Sequence, residues 1–346
     1  MPSDPDASES SNHKQIDLSS SSRLLVWNPE RGGTDGTEAR FNYWLVTYDG
    51  SVTDAIVKRR IKTPGLHDWH TIEINSQIIS DQAELDEGLP TVKKALASIQ
   101  NNVKVWLNDE CGFHVHVSPL RGKLDIAVTR RMAALVLLME RRFLLKLCHP
   151  CRQNSPHTRP ISTDSVFAVN ASASPEAPLA SSLEGNLLGT FRAKARGRSS
   201  DEPSIFRMLC AIFSTADIKS IGRGLRLPRI GSGSLLDGNR GAIAVSTYDT
   251  VEMRYPEASF DVEFLSLWVD LSRRVFAFAS APDDEYGKKL LEFYDMATAD
   301  IELGWIHWLK AVGLDERADF CKKHINRYRV DLKDLNKRGI LPKVKS

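Results

Sequence analysis

The chain has no apolar run approaching the roughly 20 residues that a membrane-spanning helix requires, so no transmembrane segment is expected in its 346 residues. Cysteine is sparse: the five present are odd in number and scattered, which excludes a disulfide-held scaffold and points to a reducing compartment, with the cytoplasm as the default. An excess of one charge is missing too. Lys plus Arg total 46 and Asp plus Glu 44, a formal net charge of +2 that gives no overall attraction to nucleic acid or to an acidic membrane surface. There is no Gly-x-x-x-x-Gly-Lys-Ser/Thr loop and no Gly-x-Ser-x-Gly elbow, so neither a P-loop nucleotide site nor a serine-hydrolase nucleophile is supported. The one CxxC, Cys148-His149-Pro150-Cys151, follows a helical stretch rather than opening one and lacks a second pair, which argues against a redox dithiol or a zinc knuckle.

What is present begins with Glu110-Cys111-Gly112-Phe113-His114-Val115-His116-Val117. Successive side chains of a strand point to opposite faces. His114 and His116 therefore share one face, and Phe113, Val115 and Val117 the other. Thr71-Ile72-Glu73-Ile74-Asn75 and Thr250-Val251-Glu252-Met253-Arg254-Tyr255 alternate in the same way, setting Glu73, and then Glu252 with Arg254, opposite apolar neighbours. The expected fold class is α+β: one antiparallel sheet with a polar concave face lining a cleft and helices packed on its other face.

Residues 1–23 form a Ser-rich polar leader with too little apolar surface to order itself. Residues 24–320 are read as a single domain, and 321–346 as a basic C-terminal tail. Within the tail, Lys322 to Lys345 is interrupted by Asp331 and Asp334 and offers Tyr328 as its one stacking ring, the signature of a solvated helix more than of a nucleic-acid surface. Helical periodicity is expected at 81–99, 125–147 (ended by Pro150), 264–279, 285–299 and 300–312. Residues 152–233 are rich in Ser, Pro, Gly and Arg, with only 204–213 clearly helical, and read as a long irregular segment.

Cys-Gly-Phe-His-Val-His-Val, the apolar helix ending in His149-Pro150 and Arg152, and Thr-Val-Glu-Met-Arg resemble the amidoligase family of carboxylate–amine ligases. The likeness runs from Trp44 to about Ala279, with Trp268 in the expected helix. It implies a glutamine synthetase/glutamate–cysteine ligase-like fold, here without the family's first strand, since no Glu-x-Glu pair precedes Trp44 and Glu30 and Glu38 lie among glycines. It further implies ATP-dependent joining of a small-molecule or peptide carboxylate to an amine through an acyl phosphate, with Mg²⁺ or Mn²⁺ as the metal. By motif position Glu73, His114 and Glu252 are the implied metal ligands. His114, His116 and Arg254 are the implied nucleotide contacts, and Arg254 and His116 the implied catalytic pair. Arg152-Gln153-Asn154 and Arg159 are further candidate substrate contacts. Two other readings stay open: a non-catalytic ligase fold that binds nucleotide or peptide, and a Zn²⁺-dependent hydrolase built on His114 and His116.

Overall fold

A computed structural model of the chain describes residues 44–49, 70–103, 105, 107, 110–153, 155, 158–171, 183–195, 202–228, 239–300 and 303–338. The polar leader, Glu30, Glu38, Asn154 and residues 339–346 lie outside these, as do the side chains of Gln153 and of residues 329–338.

The expected single sheet is two separate antiparallel sheets. Strand β1 (Leu45–Tyr48) pairs with β2 (Ile72–Asn75), and the second sheet has the order β3-β5-β4, where β3 is Val115–Val117, β4 Ile243–Val245 and β5 Val251–Met253. Strands β4 and β5 form a hairpin through Thr247-Tyr248-Asp249. Asp249 takes a positive φ of 54°, which Asp tolerates, and Ser246 N–H closes the loop on the Thr250 carbonyl. In the three-stranded sheet His116 stands opposite Glu252, and Glu252 opposite Ala244. Val115, Val117, Val251, Met253 and Ile243 share the other face and are buried.

Beyond Val115 the ladder slips. Gly112 bridges Glu257, so Phe113 and His114 face three residues, Arg254, Tyr255 and Pro256. The extra residue makes a β-bulge, and Pro256, with no N–H to give to a ladder, suits it.

The Val262–Ser280 helix backs β3. Asp261 caps it by accepting from the N–H groups of Glu263 and Phe264, and Phe264, Leu265, Trp268, Leu271 and Val275 form its buried stripe. It packs on the Ile126–Met139 helix, capped by Asp125, in which every residue from Met132 to Met139 is buried. A helix apolar on all sides belongs at the centre of a core. The Glu202–Phe213 and Asp283–Thr298 helices cover its remaining sides, and the Ile218–Gly224 helix lies against β4.

Several expectations change. The 81–99 helix is two, Gln82–Asp86 and Pro90–Asn102, because Gly88 and Leu89 take positive φ (75° and 66°) and Pro90 disfavours helical backbone at the residue before it. The 125–147 helix contains a π-turn at Glu140–Leu144. Residues 152–233 are largely helical where described, with Ile161–Asp164, Val166–Ala171, Leu183–Ala195, Glu202–Phe213 and Ile218–Gly224. The last helix expected before the tail is short, Trp305–Ala311, and starts after Gly304. The basic tail opens as a docked helix, Ala318–Arg338, with Cys321, His324 and Tyr328 buried. Among the described residues no helix is long and apolar enough to cross a membrane.

Candidate functional site on the outer face of the three-stranded sheet

Three of the residues singled out in the sequence, His114, His116 and Arg254, meet around a fourth, the carboxylate of Glu252. Glu252 is central in β5, and its side chain is only 2% exposed. Its Oε1 accepts a short bond from Arg254 NH1, lies 3.2 Å from His114 Nδ1 and 3.8 Å from His116 Nε2. Its Oε2 accepts from Arg240 NH1 at 3.1 Å. Arg240 follows the 152–233 segment, just ahead of β4, and no sequence pattern marks it. His116 is fixed from its other side by Thr250 Oγ1, 2.8 Å from Nδ1.

The sheet explains the convergence. His116 and Glu252 are cross-strand neighbours, whose Cβ atoms lie about 5 Å apart. His114 and Arg254 extend the same face into the bulge, where they meet at 3.5 Å. Gly112 lets a further cation approach from behind. A Cβ there would sit 2.5 Å from the Arg152 guanidinium and 3.2 Å from His114 Nε2. Arg152 itself is buried and donates to the Glu110 carbonyl at 3.2 Å, so it underlies the site instead of lining its open side. Arg159 is exposed and 3.8 Å from Asp164.

Burial penalises the carboxylate, yet hydrogen bonding from His114 and the charge of Arg254 hold Glu252 well below the usual carboxylate range. Burial lowers the His114 pKa to about 4, against the hydrogen bond to Glu252, and lowers His116 in the same direction. Both rings are then neutral near pH 7. The Glu252 contact assigns the His114 proton to Nδ1, leaving Nε2 as an acceptor on the side of the ring toward Gly112 and the Arg152 guanidinium. With one carboxylate set against Arg240 and Arg254, the cluster carries a net positive charge.

Glu73 does not join this group. It sits on the β1–β2 ribbon opposite Thr47 and is exposed to solvent. Mg²⁺ and Mn²⁺ favour several hard oxygen donors. The two oxygens of Glu252 already hold arginines, and among the described residues no group of three His, Cys, Asp or Glu side chains is placed to hold a metal ion. Glu73, His114 and Glu252 thus do not form a metal-ligand set. The histidines do converge, but on the protein's own carboxylate: Nδ1 of His114 and Nε2 of His116 both turn toward Oε1 of Glu252.

Residues 7–185, a little over half of the chain, match the family described as "Putative amidoligase enzyme". The chain belongs to that family. The matched span opens upstream of Trp44 and takes in the histidines, Gly112 and Arg152; it ends before Arg240, Glu252 and Arg254, which the fold alone brings to them. No curated protein and no solved structure matches the chain.

Proposed function

We propose that the chain is an ATP-dependent carboxylate–amine ligase working through an acyl phosphate, on a glutamine synthetase/glutamate–cysteine ligase-like scaffold. Family membership supports the reaction class. The observation that carries the site is the two-arginine, two-histidine cluster assembled on Glu252 at the outer face of the sheet.

A carboxylate resists attack by an amine because its carbon is electron-rich and oxide is a poor leaving group. ATP would supply the phosphoryl group that turns this oxygen into one that leaves as phosphate. The chain's own residues meet the electrostatic demand of bringing an acid and a phosphate together. Arg254, ordered by Glu252 and only 11% exposed, presents a planar fork suited to two oxygens of one anion. Because its geometry is fixed before substrate arrives, its charge acts without reorganisation. His114 is held against Glu252 by its Nδ1 contact and so helps to fix the carboxylate that orders Arg254. The bond between His116 and Thr250 fixes the second imidazole at the rim.

Incubating the full chain with ATP, hydroxylamine and a panel of amino acids, dicarboxylates and short peptides tests this. An acyl phosphate is trapped as a hydroxamate, with equimolar release of inorganic phosphate. The expected result is hydroxamate formation with at least one acid, lost in Arg254→Ala. Nucleotide binding without phosphate release on any acid would overturn the ligase reading in favour of a binding protein on a ligase fold.

A further inference from the structure

Of the five cysteines, Cys148, Cys210 and Cys321 are buried, while Cys111 and Cys151 keep part of their surface. Burial pushes the Cys148 thiol up and the Cys321 thiol up to about 12, and Cys148 Sγ is turned to the Leu144 carbonyl at 3.2 Å. A thiol reacts through its thiolate, so these two are inert. Cys151 is set differently.

We infer that Cys151 is a base-activated modification site, a thiol that His149 prepares for oxidation by a peroxide, and that Arg152 carries the change to His114. Geometry supplies the base. Cys151 lies in the short Pro150–Gln153 helix, which His149 precedes. His149 Nδ1 accepts from the backbone N–H of Cys151 at 3.1 Å, so that nitrogen carries no proton, and it stands 2.8 Å from Cys151 Sγ. The S–H therefore points at a lone pair. The imidazole is fully buried, its backbone N–H is held by Glu257 Oε2 at 3.0 Å, and the Tyr328 ring meets it edge-on at 4.7 Å. Charge acts in the same sense. Burial lowers the Arg152 pKa while the charges of Glu257 and Cys151 oppose the shift, and a guanidinium beside a thiol favours the thiolate. Position links the pair to the site. The Arg152 guanidinium donates to the Glu110 carbonyl at 3.2 Å and fills the space where a Cβ on Gly112 would sit, beside His114 Nε2. An oxygen added to Cys151 needs room at the base of the turn that aims this arginine.

With hydrogen peroxide the step balances as follows. The thiol proton passes to His149 Nδ1, sulfur attacks one peroxide oxygen, the O–O bond breaks, and the leaving hydroxide takes the proton as water. Sulfur is oxidised to a sulfenic acid and the peroxide is reduced. This chemistry is independent of turnover; only its effect on ligation rests on the proposed function.

The test treats the full chain with hydrogen peroxide in the presence of dimedone, which captures sulfenic acids, and follows each cysteine by peptide mass spectrometry. Expected is labelling of Cys151 at least about tenfold faster than of Cys111, and slowed by a similar factor in His149→Asn. Asn keeps a side-chain acceptor for the Cys151 N–H, as helix N-caps do, but offers no base, so a merely structural histidine would leave the rate unchanged. Equal rates at Cys111 and Cys151, a comparison that needs no variant, or an unchanged rate in His149→Asn would overturn the assignment. The ¹⁵N resonances of the His114 ring should shift on oxidation of the unsubstituted chain and stay in place in Cys151→Ser; a ring unmoved in both would refute the link through Arg152. Hydroxamate formation untouched by complete labelling of Cys151 would break that link and leave the ligase reading standing. Selective labelling of Cys151 in a chain that forms no hydroxamate with any acid would do the reverse.

Discussion

Glu252 and Glu257 lie five residues apart on one stretch of chain, both nearly buried and both held below the ordinary carboxylate range despite the cost of burial, yet they face opposite ways and do different work. Glu252 points to the outer face, and its partners are the side chains of two arginines and two histidines that all retain some exposure. Glu257 points inward, beyond the bulge. Its Oε2 accepts from the backbone N–H of His149 at 3.0 Å, and its Oε1 accepts a short bond from Tyr328, with His324 against the same hydroxyl. Glu140, the first residue of the π-turn, resembles Glu257. It accepts from the N–H groups of Ile161 and Ser162, which open a helix, and from Tyr255 OH at 2.6 Å. A carboxylate satisfied by backbone and buried hydroxyls joins segments together; one satisfied by half-exposed cations organises a surface that a ligand can reach.

The sharpest way to break this contrast is to remove each carboxylate in turn. Glu140→Ala strands two backbone donors and a tyrosine hydroxyl in the core, so it should cost about 3–5 kcal/mol, the scale for breaking a buried charged network. Much of the chain would then fail to fold, and chemical denaturation against the isosteric Glu140→Gln, which keeps one acceptor, should show partial rescue. Glu252→Ala should lose activity completely with a smaller loss of stability, because Arg240 can swing its freed guanidinium into water. Equal destabilisation by the two alanines would erase the distinction between a joint and an organiser.

At the next level, Arg254→Ala and His116→Ala should abolish hydroxamate formation with little change in melting temperature, since neither side chain fills core volume; a large drop for either would move it from the site to the scaffold. Gly112→Ala tests the layer beneath. The new methyl would press on the Arg152 guanidinium, which is buried and cannot retreat into solvent, and would crowd His114 Nε2. Activity should fall more than tenfold with only a modest loss of stability, and a silent Gly112→Ala would show that Arg152 does not set the position of His114.

Much of the site was legible because strand alternation is local: His-Val-His and Glu-Met-Arg each state which residues share a face, whatever pairs with what. What lay beyond the sequence was partnership. Ile72–Asn75 has the same alternation as Val251–Met253, yet it pairs with Leu45–Tyr48 and carries Glu73 away from the histidines, a choice made by tertiary packing. Arg240 is one arginine among many in a Gly- and Arg-rich stretch, and only its contact with Glu252 distinguishes it. The helices within 152–233 were hidden because Ser, Gly and Pro dilute their periodicity, and several are a single turn or two long. Tyr328 looks in sequence like one ring in a basic tail, but it donates to a carboxylate 71 residues earlier in the chain, and only the docking of the last helix reveals that contact.

The smallest expected effect is on the pH dependence of stability, and it separates the outer face from the inner one by window. His114 has a folded pKa of about 4 against 6.5 for the free side chain, so between these values the unfolded chain takes up a proton that the folded one refuses. Stability contributed by neutral His114 is therefore full above about pH 6.5 and declines as pH falls toward 4; His116 acts in the same sense. Glu252 and Glu257 are lowered carboxylates, whose stabilisation is complete above their free value of 4.5 and is lost only below it. Between pH 6.5 and 5 the imidazole contribution of the site therefore stands apart from both carboxylates. Thermal melts at fixed ionic strength should show the unsubstituted chain losing melting temperature across that interval faster than His114→Gln, which has no proton to gain. Parallel pH profiles would mean that folding leaves the His114 pKa where it is in the free side chain, and the burial that holds this ring neutral beside Glu252 would be refuted.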